Sequence, residues 1–252
     1  MKSEERHFVT ALARGLAVLR CFTAGRRELG TSEIARLLDL PQPTVWRLCK
    51  TLQDEGYLLP GQGGDRLQLS PAVLDLGYSA LASTPVADVA RPAMQELANR
   101  FGAACSMSVR NGLQLILIQR CQGHSELILN LHIGSQLSLA SSASGAAYIG
   151  NLPEAERNAL LDEIRSSDPA NWPAREAAIA SALRQYLEYG FVMDCGGYHP
   201  RISTAAVAFT GGDGQHYSLS CGAPAEQLTL DTLRNEIGPA LVRLATALSG
   251  HR

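Results

Sequence analysis

The sequence lacks several features that would settle its class at once. No apolar run approaches the roughly 20 residues that cross a bilayer, so no membrane span is expected. There is no GxSxG elbow, phosphate-binding glycine loop or dinucleotide fingerprint, which removes the usual hydrolase and nucleotide-enzyme signatures. The six cysteines (Cys21, Cys49, Cys105, Cys121, Cys195 and Cys221) include no CxxC pair. In a chain of this size that points to reduced thiols and a cytoplasmic home. The opening MKSEERHFVTALARGLAVLRCF contains acids and has no cleavage-type ending, so it does not read as a signal peptide. No internal repeat or low-complexity tract stands out. Neither sign of charge dominates, at a net −2 over 252 residues.

What is present is globular. Hydrophobic residues make up 46% and charged residues 18%, enough for one large or two smaller cores. The charge is unevenly spread. From Thr10 to Lys50 seven basic side chains (Arg14, Arg20, Arg26, Arg27, Arg36, Arg47, Lys50) face three acids (Glu28, Glu33, Asp39), a local +4. From Pro85 onward twelve bases face fifteen acids, a local −3. A basic front on an acidic rear fits a nucleic-acid-binding head on an unrelated body.

The stretch TSEIARLLDLPQPTVWRLCKTLQDEGYLL, from Thr31 to Leu59, carries the sharpest signal. Thr31 is an expected N-cap, with Glu33 in the first turn at the positive end of the dipole. Ile34, Ala35 and Leu38 lie on one helical face. Asp39-Leu40-Pro41 breaks the helix. A second helix begins near Gln42, with Pro43 tolerated in its first turn and Val45, Leu48 and Leu52 as its buried stripe. Gln42, Thr44, Trp46, Arg47 and Lys50 fall largely off that stripe. A helix of this kind fits the major groove. There Arg47 can grip guanine, Gln42 can pair with adenine, Thr44 can meet a thymine methyl, and Lys50 suits a phosphate. PGQGGDR followed by LQLS predicts a hairpin, the wing of a winged helix-turn-helix, with Arg66 near its tip, either entering the minor groove or touching the DNA backbone, or lying on an ordinary surface loop. Phe8 to Thr23 predicts a third helix, packed through Phe8, Leu12, Leu16, Leu19 and Phe22, with Arg14 free for a phosphate.

The remainder predicts an α+β body. Ser70-Pro71 opens a helix over Ala72–Ser83, too apolar for an isolated linker, and Thr84-Pro85 marks a boundary. The expected division is 1–70 for the DNA-binding domain, 71–84 for a linker and dimerisation helix, and 85–252 for a second domain. Its predicted helices are Val86–Phe101, Gly145–Asn151, Pro153–Arg165, Pro173–Tyr189 and Leu230–Leu248. Its predicted strands are Ala104–Arg110, Leu113–Arg120, Glu126–Leu131, Gly190–Cys195, Ser203–Thr210 and Gln215–Cys221. Asn111-Gly112 reads as a tight hairpin turn. The expected architecture is a mostly antiparallel sheet with helices on one side. SSASGAA places small residues where a loop enters a helix. Ala143, Ser144 and Gly145 would let an anion approach unpaired N–H groups there; capping alone would also account for the serines.

This order resembles the IclR family of bacterial transcription regulators over nearly the full chain. The resemblance is carried by ARGLAVLRCF, TSEIARLLDLPQPTVWRLCKTLQDEGYL, IGSQLSLASSASGAAYIG, YLEYGFVMD and STAAVAFTGGDGQHYSLSCGAP. It implies a GAF-like effector domain and homodimers through the head and linker helix, often paired into tetramers. It also implies control of a nearby catabolic operon through a double-stranded DNA operator and a small carboxylate effector, with repression as the expected mode. By resemblance the effector pocket takes Leu137, Leu139, Ser203, Ser220 and Gly222, with Asp194 and Cys195 at its mouth. No cofactor, metal or catalytic residue is implied. The sequence departs from the family at Ala146, where Lys or Arg is common, and at DCGGYHPRISTAA. Tyr198, His199 and Arg201 therefore have no family counterpart. They either bring new ligand contacts, with Arg201 a candidate carboxylate partner, or are solvated loop.

Two other readings stay open on residue types. Cys195 or Cys221 with His199 or His216 could form a nucleophilic or zinc site, although the C-x3-H spacing lacks the paired pattern of structural zinc. The winged helix could serve protein contacts alone, a reading to which Trp46 lends weight.

Overall fold

The structure, a computed structural model, describes residues 8–124 and 131–250. The chain divides into two compact units, residues 1–83 and 84–252.

The first unit contains α1 (Thr10–Arg20), β1 (Glu28–Gly30), α2 (Thr31–Leu38), α3 (Gln42–Asp54), β2 (Leu58–Pro60), β3 (Arg66–Leu69) and α4 (Ala72–Ala82). Val18, Phe22, Leu29, Ile34, Val45, Cys49, Leu58 and Leu67 form its core. Burial in that core pushes the Cys49 thiol up to about 11. Helix α2 starts one residue earlier than the Thr31 cap implied. Gly30 occupies the cap position, and its N–H donates to Glu33 Oε2 at 2.7 Å. The turn into α3 is made by Asp39 in the left-handed region, φ 51°, where Asp is among the few tolerated side chains. The wing gains a third strand, because β1 pairs with β3 on the side away from β2.

Two expectations for this unit are corrected. Helix α1 is shorter than Phe8–Thr23, and only the end of its expected stripe packs inward: Leu19 and Phe22 join the core with Val18, while Phe8, Leu12 and Leu16 are exposed. The core is reached only by the last turn of α1. In α3 the buried positions are Val45 and Cys49, with Leu48 and Leu52 half-buried. Helix α4 buries none of its residues, although Leu74, Leu76 and Tyr78 are large and apolar.

The second unit is built on a six-stranded antiparallel sheet. Its strands are β4 (Ala104–Asn111), β5 (Gln114–Gln122), β6 (Gln136–Ser138), β7 (Val192–Cys195), β8 (Ile202–Thr210) and β9 (His216–Pro224), in the order β6-β5-β4-β9-β8-β7. Its helices are α5 (Pro85–Phe101), α6 (Ala143–Asn151), α7 (Glu154–Ser167) and α8 (Trp172–Tyr189). At the end α9 (Leu230–Thr232) runs through a π turn, Leu233–Ile237, into α10 (Gly238–Ser249).

Helices cover both faces of the sheet, not one. α5 and α10 pack on one side, while α6, with α8 beside it, packs on the other. Strand β6 lies between the expected Glu126–Leu131 strand and the expected Gly145–Asn151 helix, where no strand is predicted, and the Glu126–Leu131 strand falls mostly outside the described residues. The β4–β5 ladder contains a bulge. Ser108 faces Leu117 and Met107 faces Gln119, so Ile118 is the extra residue. Beyond that bulge β5 presents the opposite parity of side chains to each face.

Candidate DNA-binding face and effector cavity

On the first unit, α3 presents Gln42, Trp46, Arg47 and Lys50 to solvent, with Thr44 half-buried. Trp46 is 59% exposed, an open aromatic on an otherwise polar face. Gln42 Nε2 donates to Ser32 Oγ at 3.0 Å, which ties the first turn of α3 to that of α2. Lys50 Nζ pairs with Asp54 at 2.8 Å one turn on, an exposed contact that a phosphate can displace at little cost. Arg47 and Arg14 are exposed.

Arg66 is placed differently from the rest. It begins β3 below the wing tip and turns inward. Its Nη2 donates to the Glu28 carbonyl at 2.7 Å and lies 3.1 Å from Glu33 Oε2, so it clamps β1, β3 and α2 together. Gln62 N–H donates to Glu28 Oε1 from the other side of the hairpin.

On the second unit, a cavity of about 90 Å³ opens between the sheet and the start of α6. A single water needs only about 10–15 Å³ on this kind of measure, so there is room for a small organic molecule. Strand pairing shows how its floor is made. One rung runs Arg120, Ser106, Ser220 across β5, β4 and β9. The next runs Gln122, Ala104, Gly222, Thr204, Asp194 from β5 to β7. Small residues lie in the middle of this floor and longer polar ones at its ends. Gly222 is required by closeness: a Cβ there would overlap Thr204 Oγ1. Leu131, Leu137, Tyr198 and Ile202 complete the apolar wall.

The roof is the α6 N-terminus. Ser142 caps it, its Oγ accepting the Gly145 N–H at 3.0 Å. Ser218 Oγ on β9 donates to the Ser144 carbonyl at 3.0 Å. The N–H groups of Ala143 and Ser144 have no hydrogen-bond partner among the described residues, and both residues line the cavity. Such N–H groups and the helix dipole favour an anion.

Among the described residues, one full charge of each sign lines the wall, Arg120 and Asp194. Arg120 Nη1 donates to Ser106 Oγ at 3.1 Å and Nη2 to Gln122 Oε1 at 3.4 Å. Among the described residues no carboxylate lies within ion-pair reach of it. Partial burial lowers its pKa from the ordinary arginine value, because desolvation disfavours the cation. Asp194 Oδ1 and Oδ2 accept the N–H groups of Gly197 and Tyr198 at 2.9 and 3.0 Å.

Of the residues read from sequence, Leu137, Ala143, Ser144, Asp194, Ser220 and Gly222 line this cavity. Cys195 and Ser203 do not, because alternation along β7 and β8 sends Asp194 and Thr204 inward and their neighbours outward. Leu139 is buried beneath α6, and Gly145 lies directly over its backbone, where a Cβ would overlap the Leu139 carbonyl. Arg201 is exposed and outside the wall. Arg120, Ser106 and Thr204 were missed. Strict alternation from Leu115 and Leu117 puts Arg120 on the wrong face, and only the Ile118 bulge brings it in. Cys221 pairs across the sheet with Cys105, and that rung points away from the cavity. Among the described residues no cluster of three His, Cys, Asp or Glu side chains could hold a metal.

A winged helix-turn-helix joined to a domain with a built cavity defines a class, that of DNA-binding regulators equipped to sense small molecules. The chain belongs to the IclR family of bacterial transcriptional regulators: residues 11–59 match the IclR helix-turn-helix domain, and residues 78–250 match the bacterial transcriptional regulator IclR C-terminal domain. It is 30% identical over 239 residues to the HTH-type transcriptional regulator TsaQ1/TsaQ2 of Comamonas testosteroni, covering 94% of this chain and 86% of the relative. An IclR family transcriptional regulator from Brucella abortus superposes with a TM-score of 0.88 at 38% identity, over 99% of this chain and 94% of that one. An IclR homologue from Microbacterium hydrocarbonoxydans, complexed with 4-hydroxybenzoate, shares the fold with a TM-score of 0.75 at 21% identity, over 95% and 99% of the two chains. The protein is therefore a DNA-binding transcriptional regulator. Among the described residues no helix is long and apolar enough to cross a membrane.

Proposed function

We propose that this protein represses a catabolic operon and releases it when a small organic acid enters the cavity under α6. The observation that carries this reading is the half-buried Arg120 guanidinium, which faces a cavity with no carboxylate partner among the described residues. The unpaired Ala143 and Ser144 N–H groups add to the preference for an anion. The 4-hydroxybenzoate complex of the Microbacterium homologue is in keeping with an acid ligand.

On the DNA side, two α3 helices of a symmetric dimer enter successive major grooves about 34 Å apart and read a pseudo-palindrome. Arg47, Gln42, Thr44 and Trp46 face the bases, while Lys50 and Arg14 take phosphates. The exposed apolar faces of α1 and α4 supply the dimer contact, since so many large side chains are left in water. Two such dimers pair into a tetramer through the second unit, in the cytoplasm. Effector binding changes the spacing of the heads through α4 and so shifts operator affinity.

The test is operator binding by the purified protein, with and without a panel of small acids. Affinity should fall steeply between low and moderate salt, as expected when several phosphates are neutralised. At least one acid should release the operator, and Ser144→Trp should abolish that release while leaving operator binding intact. A salt-insensitive interaction would instead favour a protein partner for the winged helix.

A further inference from the structure

The two charges on the cavity wall sit at opposite ends of its floor. Arg120 stands on β5 and Asp194 on β7, with β4, β9 and β8 between them. Neither neutralises the other: no ion pair joins them, and each is held in place by groups of its own. Arg120 leans inward over β4 to reach Ser106, which fixes its guanidinium at one end. Asp194 is locked by two backbone N–H groups, and each of its oxygens keeps a free lone pair. From β4 to β7 is three inter-strand steps, about 14 Å on a flat sheet and less across a twisted one. Between the two ends the floor is Ala104, Gly222 and the hydroxyl residues Ser106, Ser220 and Thr204, all small. An elongated molecule can lie along it.

The geometry points to a bifunctional effector: an acid whose carboxylate meets Arg120 and whose far end, several atoms away, offers a hydroxyl or ammonium donor to Asp194. This deepens the sensing reading above and rests on it. A plain monocarboxylate satisfies Arg120 but leaves an ionised carboxylate facing its apolar tail, which is costly in a partly buried site. A dicarboxylate of the same length sets two negative groups against each other at the Asp194 end. A two-carbon hydroxy acid has both groups but cannot span the floor. Selection therefore works by charge pattern and length together, with the mismatched acids penalised more than the matched one is favoured.

The experiment is calorimetric titration of the full-length protein with matched acids. A flexible set is pentanoate, 5-hydroxypentanoate, 5-aminopentanoate and glutarate. A rigid set is benzoate, 4-hydroxybenzoate and 4-(aminomethyl)benzoate, and glycolate serves as the short control. In at least one set the hydroxy or amino acid should bind about tenfold or more tighter than its plain parent, and tighter than glutarate or glycolate. Asp194→Asn should shrink that preference to within about twofold, the parent acid gaining affinity as the unmatched charge facing its tail is removed and the substituted acids losing their partner, and Arg120→Gln should weaken every acid. Plain acids binding as tightly as their substituted partners would overturn the inference and leave the sensing reading standing. So would an Asp194→Asn variant that keeps the full preference. Failure of all eight acids to bind the unmodified protein would overturn both. The comparison of ligands on the unmodified protein decides the matter even if either variant fails to fold.

Discussion

Ser218 Oγ donates to the Ser144 carbonyl at 3.0 Å, fastening the first turn of α6 to β9 through a fully buried contact. The bond is one of the contacts that hold the cavity roof to its floor, beside the packing of Gly145 on the Leu139 backbone. Ser218→Ala should cost about 1 kcal/mol of stability, the typical worth of a neutral hydrogen bond. Urea denaturation of the full chain would measure it. An acid effector should also bind more weakly, because the α6 N–H groups lose their fixed position. A variant as stable as the parent would mean the bond is incidental.

Gly145 lies where α6 presses on the Leu139 backbone, and any Cβ there must displace main chain rather than a flexible side chain. Gly145→Ala should therefore destabilise the second unit by roughly 1–3 kcal/mol, the range for forced overpacking, despite alanine's better helix propensity. Thermal unfolding reports the sign directly. A stabilised variant would show that α6 can lift without loss.

Arg47 is the exposed guanidinium on α3. Arg47→Ala should cost about 1–3 kcal/mol of operator affinity and relax preference at one base pair per half-site. Lys50→Ala should lower affinity uniformly across sequences and flatten the salt dependence by about one ion. Quantitative footprinting over a salt series separates the two. Equal effects on every operator variant would remove Arg47 as a base reader.

Arg66 behaves in the opposite way, because its guanidinium is committed to Glu28 and Glu33. Arg66→Ala should lower the melting temperature of the protein by a few degrees, in line with about 1 kcal/mol lost from partly exposed contacts. Operator affinity per folded molecule and its salt slope should stay unchanged. A reduced slope would put Arg66 on a phosphate instead.

Leu76 on α4 is 57% exposed in the single chain, among neighbours of similar character. Leu76→Glu should shift the protein toward monomer in analytical ultracentrifugation and weaken operator binding, with little change in the stability of the isolated fold. A variant still fully dimeric would move the interface elsewhere.

Sequence reasoning reached the order of nearly every element because local signals coincide with the fold. Pro43 and the Asp39 turn frame α3, the glycines of PGQGGDR make the wing, and Asn111-Gly112 makes the β4–β5 hairpin. It erred where an apolar period was taken as inward packing. Phe8, Leu12 and Leu16, at and just before α1, have the right spacing but stay exposed among the described residues. Periodicity shows that a face is apolar, not what covers it.

The helix-turn-helix, its outward side chains and the small-residue loop above the sheet are written in residue type and spacing, which act over a few positions. Which side chains share the cavity depended on strand register. One extra residue, Ile118, turns Arg120 from the α5 face to the α6 face, and strand alternation separates Asp194 from Cys195 and Thr204 from Ser203. The bulge and the alternation arise between strands close in sequence, but what brings β5 and β7 onto one floor is the pairing of β4 with β9, whose partners such as Ala104 and Gly222 lie more than 100 residues apart, a long-range relation that no local pattern encodes.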